Sequence, residues 1–131
     1  MSKIEKIATF LKENPIQILS TSIDNKPISR PLGSASLIEG KIYYCMNKDK
    51  KMFDELNQNP YVCVCVCAPD YSWLRLFAKA CFDENLSVKQ EFINLKKTRF
   101  ENASDERFKV FYLSHVKAEI HKGLEVEIIE I

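Results

Sequence analysis

The chain has few of the residues on which common nucleotide-binding and catalytic motifs depend. Its three glycines, Gly33, Gly40 and Gly123, lie too far apart for the glycine-rich turn of a Rossmann fold or a P-loop. Its two histidines, His115 and His121, make a poor metal pair on one strand, and we interpret both as solvent-facing. No Ser-His-Asp or Cys-His arrangement stands out. The sequence therefore offers no catalytic residue and no metal site.

Long apolar runs and an excess of charge are also missing. No run approaches the ~20 apolar residues of a membrane span, and the N-terminal MSKIEKIATF lacks the apolar stretch of a signal peptide. We therefore expect a cytoplasmic protein with no membrane contact. Nineteen basic and 18 acidic side chains leave a net charge of +1, which argues against a nucleic-acid partner. A length of 131 residues fits a single domain, residues 1–131.

Five cysteines are present, and three of them alternate with valine in the run Cys63 to Cys67. In the cytoplasm they would stay reduced. Side chains two apart on a strand lie roughly 6.6–7 Å apart at their Cα atoms, so three thiolates in a row do not close easily around one zinc ion. We interpret these cysteines as small apolar fillers of a core strand.

The hydrophobic pattern predicts short antiparallel strands with helices inserted between them. Ser2 and Glu5 form the pattern of a capping box, which predicts a first helix that ends near Asn14-Pro15. A second helix, capped by Asn47, is predicted to stop at Asn59-Pro60, and a third contains Val88, Phe92 and Leu95. The number of predicted short strands favours a closed or nearly closed barrel. The predicted strands are Ile16–Ile23, Ile28–Ile38, Ile42–Cys45, Tyr61–Cys67, Ser72–Phe82, Phe108–Leu113, Ser114–His121 and Leu124–Ile131, and the last three form the tail.

Lysines crowd the predicted start of the second helix. A helix N-terminus carries partial positive charge and normally attracts Asp or Glu, yet Lys48, Lys50 and Lys51 lie there with only Asp49 against them. Free backbone N–H groups and ammonium groups together would make a phosphate site. The segment alone leaves two interpretations equally open, a phosphate site and a solvated charge run.

Two further segments combine unusual residues. Arg30 precedes Pro31 inside a predicted strand, which must therefore lie at a sheet edge or bulge, where an arginine either contacts a ligand or discourages aggregation. The strand Ser72–Phe82 has one plainly apolar face. Its other face mixes aromatic and cationic side chains, including Trp73 and Arg75, and this composition favours contact with a second protomer or an aromatic ligand.

Taken in order, three segments resemble the pyridoxamine 5′-phosphate oxidase-like FMN-binding split barrels, including their small nitroreductase-related members. The segments are KPISRPLGS (26–34), IYYCMNKDKKMFDELNQNPYVCV (42–64) and WLRLFAKA (73–80). The resemblance implies an α+β, mainly β fold, an antiparallel split barrel with Greek-key character and two to three flanking helices. It also implies a homodimer with FMN at the interface.

The resemblance implies a role for residues of every segment in holding FMN. Those expected to border the ring or line the ribityl chain are Arg30, Pro31, Leu32, Cys45, Met46 and Asn47. Those expected to pair with the phosphate are Lys50 and, with it, Lys48 or Lys51. Trp73 and Arg75 are expected to approach the flavin from the partner chain.

The resemblance implies an oxidoreductase that passes electrons from NADH or NADPH to a small acceptor such as a nitro-aromatic compound or a quinone. Two departures from the family's pattern, Ala78 for glycine and Met46 for threonine or serine, put a polar contact in doubt. The C-terminal Arg/His pattern of authentic pyridoxamine-phosphate oxidases has no counterpart, so that activity is an alternative only. A non-catalytic flavin-binding module, a haem-binding barrel that uses His115 or His121, and a ligand-free interaction domain also remain open.

Overall fold

The computed structural model describes all 131 residues, with eight strands and three helices. The helices are α1 (Lys3–Glu13), α2 (Lys51–Gln58) and α3 (Leu86–Asn94). The strands are β1 (Gln17–Ile23), β2 (Lys26–Leu32), β3 (Ser36–Ile38), β4 (Lys41–Asn47), β5 (Tyr61–Cys67), β6 (Trp73–Asp83), β7 (Phe108–Lys122) and β8 (Glu125–Glu130).

All eight strands belong to one antiparallel sheet, in the order β2-β1-β5-β6-β7-β4-β3, with β8 paired to β7. The first and last strands of this order, β2 and β3, do not pair with each other. The sheet curls around an apolar interior but stays open along one seam, and the predicted split barrel is confirmed. Helix α1 begins with the predicted capping box, in which Ser2 and Glu5 bond each other's backbone.

The interior consists of alternate side chains from most strands and of the apolar faces of α1 and α2. Ile7 and Leu11 from α1 and Met52 and Leu56 from α2 join the same buried cluster as Leu76 of β6. A second, smaller cluster lies on the opposite side of β4 and β7, where α3 covers the sheet with Val88 and Phe92. The outer side of β4 is therefore covered by α3 and the loop that follows it.

Two predictions placed the ends of strands wrongly. The stretch expected as one strand, Ile28–Ile38, is interrupted after Leu32, because the chain crosses from β2 to β3 at the seam. The tail strands expected on either side of Ser114 form one 15-residue strand, β7. His115 adopts φ 52° where the register against β6 shifts by one residue, so a β-bulge bends this strand without ending it.

The cysteine prediction was also wrong. In β5 the valines Val62, Val64 and Val66 point into the core, whereas Cys65 and Cys67 are exposed on the outer face. Valine and cysteine are both small and apolar, so the alternation alone did not fix which set faces inward.

Candidate functional site at the open seam of the barrel

The seam lies between two strand edges that lack a neighbour. Strand β2 pairs only with β1, and β3 covers β4 only as far as Tyr43, so the rest of β4 pairs with β7 alone. The two edges are tied at one point, where the Cys45 N–H donates to Ser34 Oγ at 3.1 Å. In the β3–β4 pair Ser36 lies opposite Tyr43. If this register continued beyond the bond between Ser34 and Cys45, Leu32 would lie opposite Asn47. Unpaired backbone N–H and C=O groups along such a seam are available to a ligand.

The lysine-rich segment forms a turn at the end of β4. Asn47 does not cap α2 as predicted; its Oδ1 instead accepts the Asp49 N–H at 2.8 Å, and its carbonyl accepts the Lys50 N–H at 3.1 Å. This Asx turn delays the helix, so Lys50 is the N-cap and Lys51 the first helical residue. Lysine has no side-chain acceptor, and no side chain caps α2.

The N–H groups of Lys51 and Met52 thus lack both an intrahelical partner and a side-chain cap, whereas the Phe53 N–H donates to the Lys50 carbonyl at 3.0 Å. Lys48, Lys50 and Lys51 are exposed beside them, and none forms a salt bridge. Only Lys51 lies in the first turn, whereas all three lysines were predicted there. The segment nevertheless presents backbone donors and three unpaired ammonium groups at one place, which is the chemistry of a phosphate site.

Arg30 points towards the inner side of β2 rather than into the seam. Its Nη2 forms a salt bridge with Glu55 of α2, and its Nη1 donates to the Leu19 carbonyl at 3.3 Å. Glu55 also accepts the Thr21 hydroxyl at 2.8 Å. The charge of Arg30 is therefore compensated within the chain, and the pair fastens α2 across one end of the barrel.

The other residues predicted around the ring divide between the two sides of the sheet. Pro31 is exposed on the outer side, while Leu32 packs against the main core. Met46 is buried in that core, so its side chain is turned away from the outer side of the seam. Asn47 is half-buried.

Cys45 lies on the outer side of β4, under the loop that follows α3. Its thiol donates to the Lys97 carbonyl at 3.5 Å, and burial raises the pKa of the thiol. The group is therefore protonated near neutral pH and is a weak nucleophile. The structure also places Lys97 here, a residue with no local signal in the sequence, since a lysine after a helix is common.

Trp73 and Arg75 lie on the outer face of β6, and the structure does not bring them to the seam of the same chain. Two strands separate β6 from β2, and β7 separates it from β4. Arg75 Nη2 donates to Glu119 Oε1 at 2.9 Å, and His121 Nε2 lies 3.0 Å from the same oxygen. The Trp73 ring stacks on His121 with centroids 3.9 Å apart.

This arrangement corrects the interpretation of His121 as solvent-facing, because Trp73 covers its ring; His115 is exposed. Sequence reasoning missed Glu119 and His121 as partners of the β6 face. Their alternation on a strand was visible, but the pairing of β6 with β7 was not.

No group of three or more His, Cys, Asp or Glu side chains is placed to hold a metal ion. None of the three helices has the length and apolar composition of a membrane-spanning segment.

The hydrogen-bonding groups along the seam match the chemistry of the parts of FMN, and they follow one another in the same order as those parts. The uncapped start of α2 with its lysines offers hydrogen bonds and charge to a phosphate. Asn47 and the turn that follows it lie between the edge of β4 and the start of α2, which is where a ribityl chain would lie between a ring and a phosphate. The unpaired edges of β2 and β4 offer the alternating donors and acceptors that an isoalloxazine ring requires.

Comparison with known proteins agrees with this architecture. A NimC/NimA family protein from Clostridium acetobutylicum has 28% sequence identity and a TM-score of 0.90, covering 98% of this chain and 92% of that chain. A pyridoxamine 5′-phosphate oxidase-related, FMN-binding protein from Nostoc punctiforme has 14% identity and a TM-score of 0.64 over 97% and 95% of the two chains. A haem-binding protein from Mycobacterium smegmatis has 14% identity and a TM-score of 0.77, covering 99% of this chain but 58% of that one.

The last two similarities, at 14% identity, establish the fold alone. No protein of curated function matches the chain. The family model for pyridoxamine 5′-phosphate oxidase matches residues 4–122, which is most of the sequence and includes both edges of the seam, the lysine-rich turn and the β6 face. The chain therefore belongs to the pyridoxamine 5′-phosphate oxidase family.

Proposed function

We propose that the protein binds FMN at the seam, with the phosphate at the start of α2. The observation that carries this proposal is the lysine-rich turn. Lys48, Lys50 and Lys51 have no carboxylate partner, and the helix behind them has no side-chain cap. Lys50 and Lys51 adjoin the uncapped N–H groups directly, so we assign them the main phosphate contacts.

The ring would lie along the unpaired edges of β2 and β4. Pro31 is exposed on the outer side there, so its side chain would border the ring, whereas Cys45, whose side chain lies under the loop after α3, would lie beside the ring at the strand edge. Arg30, Leu32 and Met46 point inward, so they would contribute backbone groups at these positions. Asn47, between ring and phosphate, would face the ribityl chain. Since Glu55 holds Arg30, the anionic reduced ring would rely chiefly on backbone N–H donors.

A homodimer would complete the site. The outer face of β1, β5, β6 and β8 exposes apolar side chains, including Ile18 (42%), Phe77 (46%) and Ile128 (59%). Such a patch on a soluble domain is typical of an interface. Trp73 and Arg75 lie on this face, so Trp73 and Arg75 of a second copy are the residues we expect to reach the flavin.

The proposed activity is that of an oxidoreductase, with hydride from NADH or NADPH and transfer of electrons to a nitro-aromatic compound or a quinone. FMN supplies the redox chemistry when bound, and the chain positions it and excludes water. No nucleophile is needed from the protein, which agrees with the protonated state of the Cys45 thiol. The family also supports pyridoxamine-phosphate-type oxidation, although the C-terminal strand β8 (Glu125–Glu130) offers no arginine or histidine for it.

The visible spectrum of the purified protein tests the cofactor, and stopped-flow mixing with NADH and NADPH tests the reaction. We expect flavin absorption that bleaches with at least one of the two nucleotides. A protein that binds FMN but is reduced by neither is the non-catalytic flavin module, and that outcome contradicts the oxidoreductase. A protein that neither carries nor binds FMN contradicts the whole proposal.

Haem is the second candidate ligand, because a fold relative from Mycobacterium smegmatis is a haem-binding protein. His115, exposed at the bulge in β7, is the better candidate ligand of the two histidines. His121 is stacked under Trp73 and bonded to Glu119, so it would have to leave both. A Soret band in the purified protein that disappears with His115→Ala would favour haem over FMN.

A further inference from the structure

A separate cavity of about 750 Å³ lies between α1, β3 and α3. Neither the lysine-rich turn nor the ends of β2 and β4 contribute to its wall. Its volume is in the range of small-molecule sites. Its apolar side chains come from three elements and the loop after α3: Ala8, Leu11, Leu37, Ile38, Ile42 and Leu95.

Two lysines border this cavity without an acidic partner. Lys12 comes from the last turn of α1, and Lys97 comes from the loop after α3. Neither takes part in any salt bridge. The Lys97 ammonium donates to the Ala35 carbonyl at 3.0 Å and to Ser36 Oγ at 2.6 Å, both uncharged acceptors. These bonds fix the ammonium in position and leave its charge uncompensated.

The surroundings of Lys97 disfavour its charge when no anion is present. Burial lowers its pKa, and the nearby charge of Lys12 lowers it further. A cation that is held in position at the edge of a cavity and has a perturbed pKa is the pattern of a candidate binding site. An anion between the two lysines would remove both penalties.

Three carboxylates also line the cavity, and two of them are already engaged. Glu5 accepts the Ser2 N–H at 3.3 Å in the capping box of α1. Glu39 accepts Asn85 Nδ2 at 3.0 Å and Ser87 Oγ at 3.3 Å at the start of α3. Glu91, on α3, forms no salt bridge with Lys12 or Lys97. The three carboxylates keep their negative charge, but none of them lies within ion-pair distance of Lys12 or Lys97.

We propose that this cavity binds a small molecule with an apolar or aromatic body and a carboxylate, which Lys97 holds together with Lys12. The apolar wall receives the body, and the fixed Lys97 ammonium receives the carboxylate through a charge-assisted hydrogen bond. The site is adjacent to the seam: the Lys97 backbone carbonyl accepts the Cys45 thiol at 3.5 Å, whereas the Lys97 ammonium bonds Ala35 and Ser36 in the cavity wall. It does not depend on whether the seam binds FMN.

Fluorescence titration of the purified full chain with 2-naphthoate tests this site, with 2-naphthamide as a probe of the same shape without charge. We expect the naphthoate to bind more tightly than the naphthamide. Lys97→Met should weaken naphthoate at least tenfold, because a hydrogen bond to a charged group contributes about 1.5–3 kcal/mol. Lys97→Arg should restore most of the affinity. Lys96→Met is the matched control, since Lys96 is the exposed neighbour outside the cavity wall, and it should change nothing.

Equal affinity for the two probes, or unchanged naphthoate affinity in a folded Lys97→Met variant, would overturn the proposal. If Lys97→Met does not fold, Lys12→Met at the exposed end of α1 decides: a loss of at least threefold supports the site, and no loss overturns it. Added FMN should not displace the naphthoate. Displacement would mean that the cavity and the seam share one ligand, which also overturns a separate site.

Discussion

Arg30 and the lysine-rich turn are both cationic and both lie near α2, yet the chain treats them in opposite ways. Arg30 is tied to Glu55 at the inner side of β2, with side chains 20% and 12% exposed. Lys48, Lys50 and Lys51 are exposed, with no carboxylate in contact. A cation compensated inside the chain stabilises the fold, whereas cations left together without a partner are free for an anionic ligand.

The largest expected effect concerns the salt bridge between Arg30 and Glu55. Glu55→Ala would leave the half-buried Arg30 guanidinium without its carboxylate and would also remove the acceptor of Thr21. We expect the free energy of unfolding to fall by about 3 kcal/mol, since removing one partner of a buried pair leaves an uncompensated charge. Urea unfolding measures this. Asp54→Ala, an exposed acid one residue earlier on α2, is the control and should change stability by about 0.5 kcal/mol or less.

If Glu55→Ala costs no more than the control, the Arg30 pair does not stabilise the fold, and Arg30 becomes available again as a ligand contact. The same variant should keep its affinity for FMN at low denaturant, provided that it is folded. A loss of FMN affinity without a loss of stability would mean that the Arg30–Glu55 pair supports ligand binding and not the fold, which is the opposite of the expected role.

The second effect concerns the lysine-rich turn, whose lysines have no carboxylate partner. We expect Lys50→Ala together with Lys51→Ala to weaken FMN binding at least tenfold, because each charge-assisted phosphate contact contributes about 1.5–3 kcal/mol. Stability should change by less than about 0.5 kcal/mol, as for most exposed substitutions. Riboflavin, which has no phosphate, should bind the variant and the parent protein equally. Quenching of flavin fluorescence measures both ligands.

The double variant Lys26→Ala with Lys122→Ala is a matched control, because both lysines are exposed in hairpins and it removes the same charge. It should leave FMN affinity unchanged. An equal loss in both double variants would mean that net charge attracts FMN and that the turn holds no specific phosphate site.

The contrast between these regions also shows what the sequence can and cannot predict. β5 was predicted with its observed bounds, Tyr61–Cys67, because prolines stand just outside it at both ends. A lysine-rich helix start was predicted at this place as well, because lysines there conflict with the helix dipole, but a turn precedes the helix and only Lys51 lies in its first turn. Both signals are local in the sequence.

What could not be predicted depends on which distant residues meet. Glu55 lies 25 residues from Arg30, and nothing in either segment indicates the pair. Lys97 approaches Ser36 from 61 residues away, so the cavity lysine had no local signal. The inward face of β5 was undetermined for the same reason, since packing against β1 and β6 decides it and the Val-Cys alternation does not.

The smallest expected effect tests a third cation that resembles Arg30 in burial. Lys89 of α3 is buried, and its ammonium reaches Glu84 at 2.8 Å, while Lys109 reaches the same carboxylate at 2.9 Å. The hydrogen bond from Lys89, followed by that from Lys109, lowers the pKa of Glu84 below its usual value of 4.5. A carboxyl whose pKa is lower in the folded chain adds stability above its unfolded pKa and loses it as the pH falls through the folded pKa.

Glu84→Gln should therefore cost stability at pH 7 and lose this cost progressively below about pH 4.5. Because the Glu84 side chain is 67% exposed, we expect only about 0.5–1 kcal/mol at pH 7. Urea unfolding at pH 7 and pH 3.5 measures the difference, with Glu101→Gln, an exposed acid in the loop after α3, as control. A cost that is the same at both pH values would show that the side-chain amide loses packing rather than charge. The Glu84 carboxylate would then not compensate the charge of Lys89. A carboxylate partner would no longer distinguish cations that stabilise the fold from cations that are free to bind a ligand.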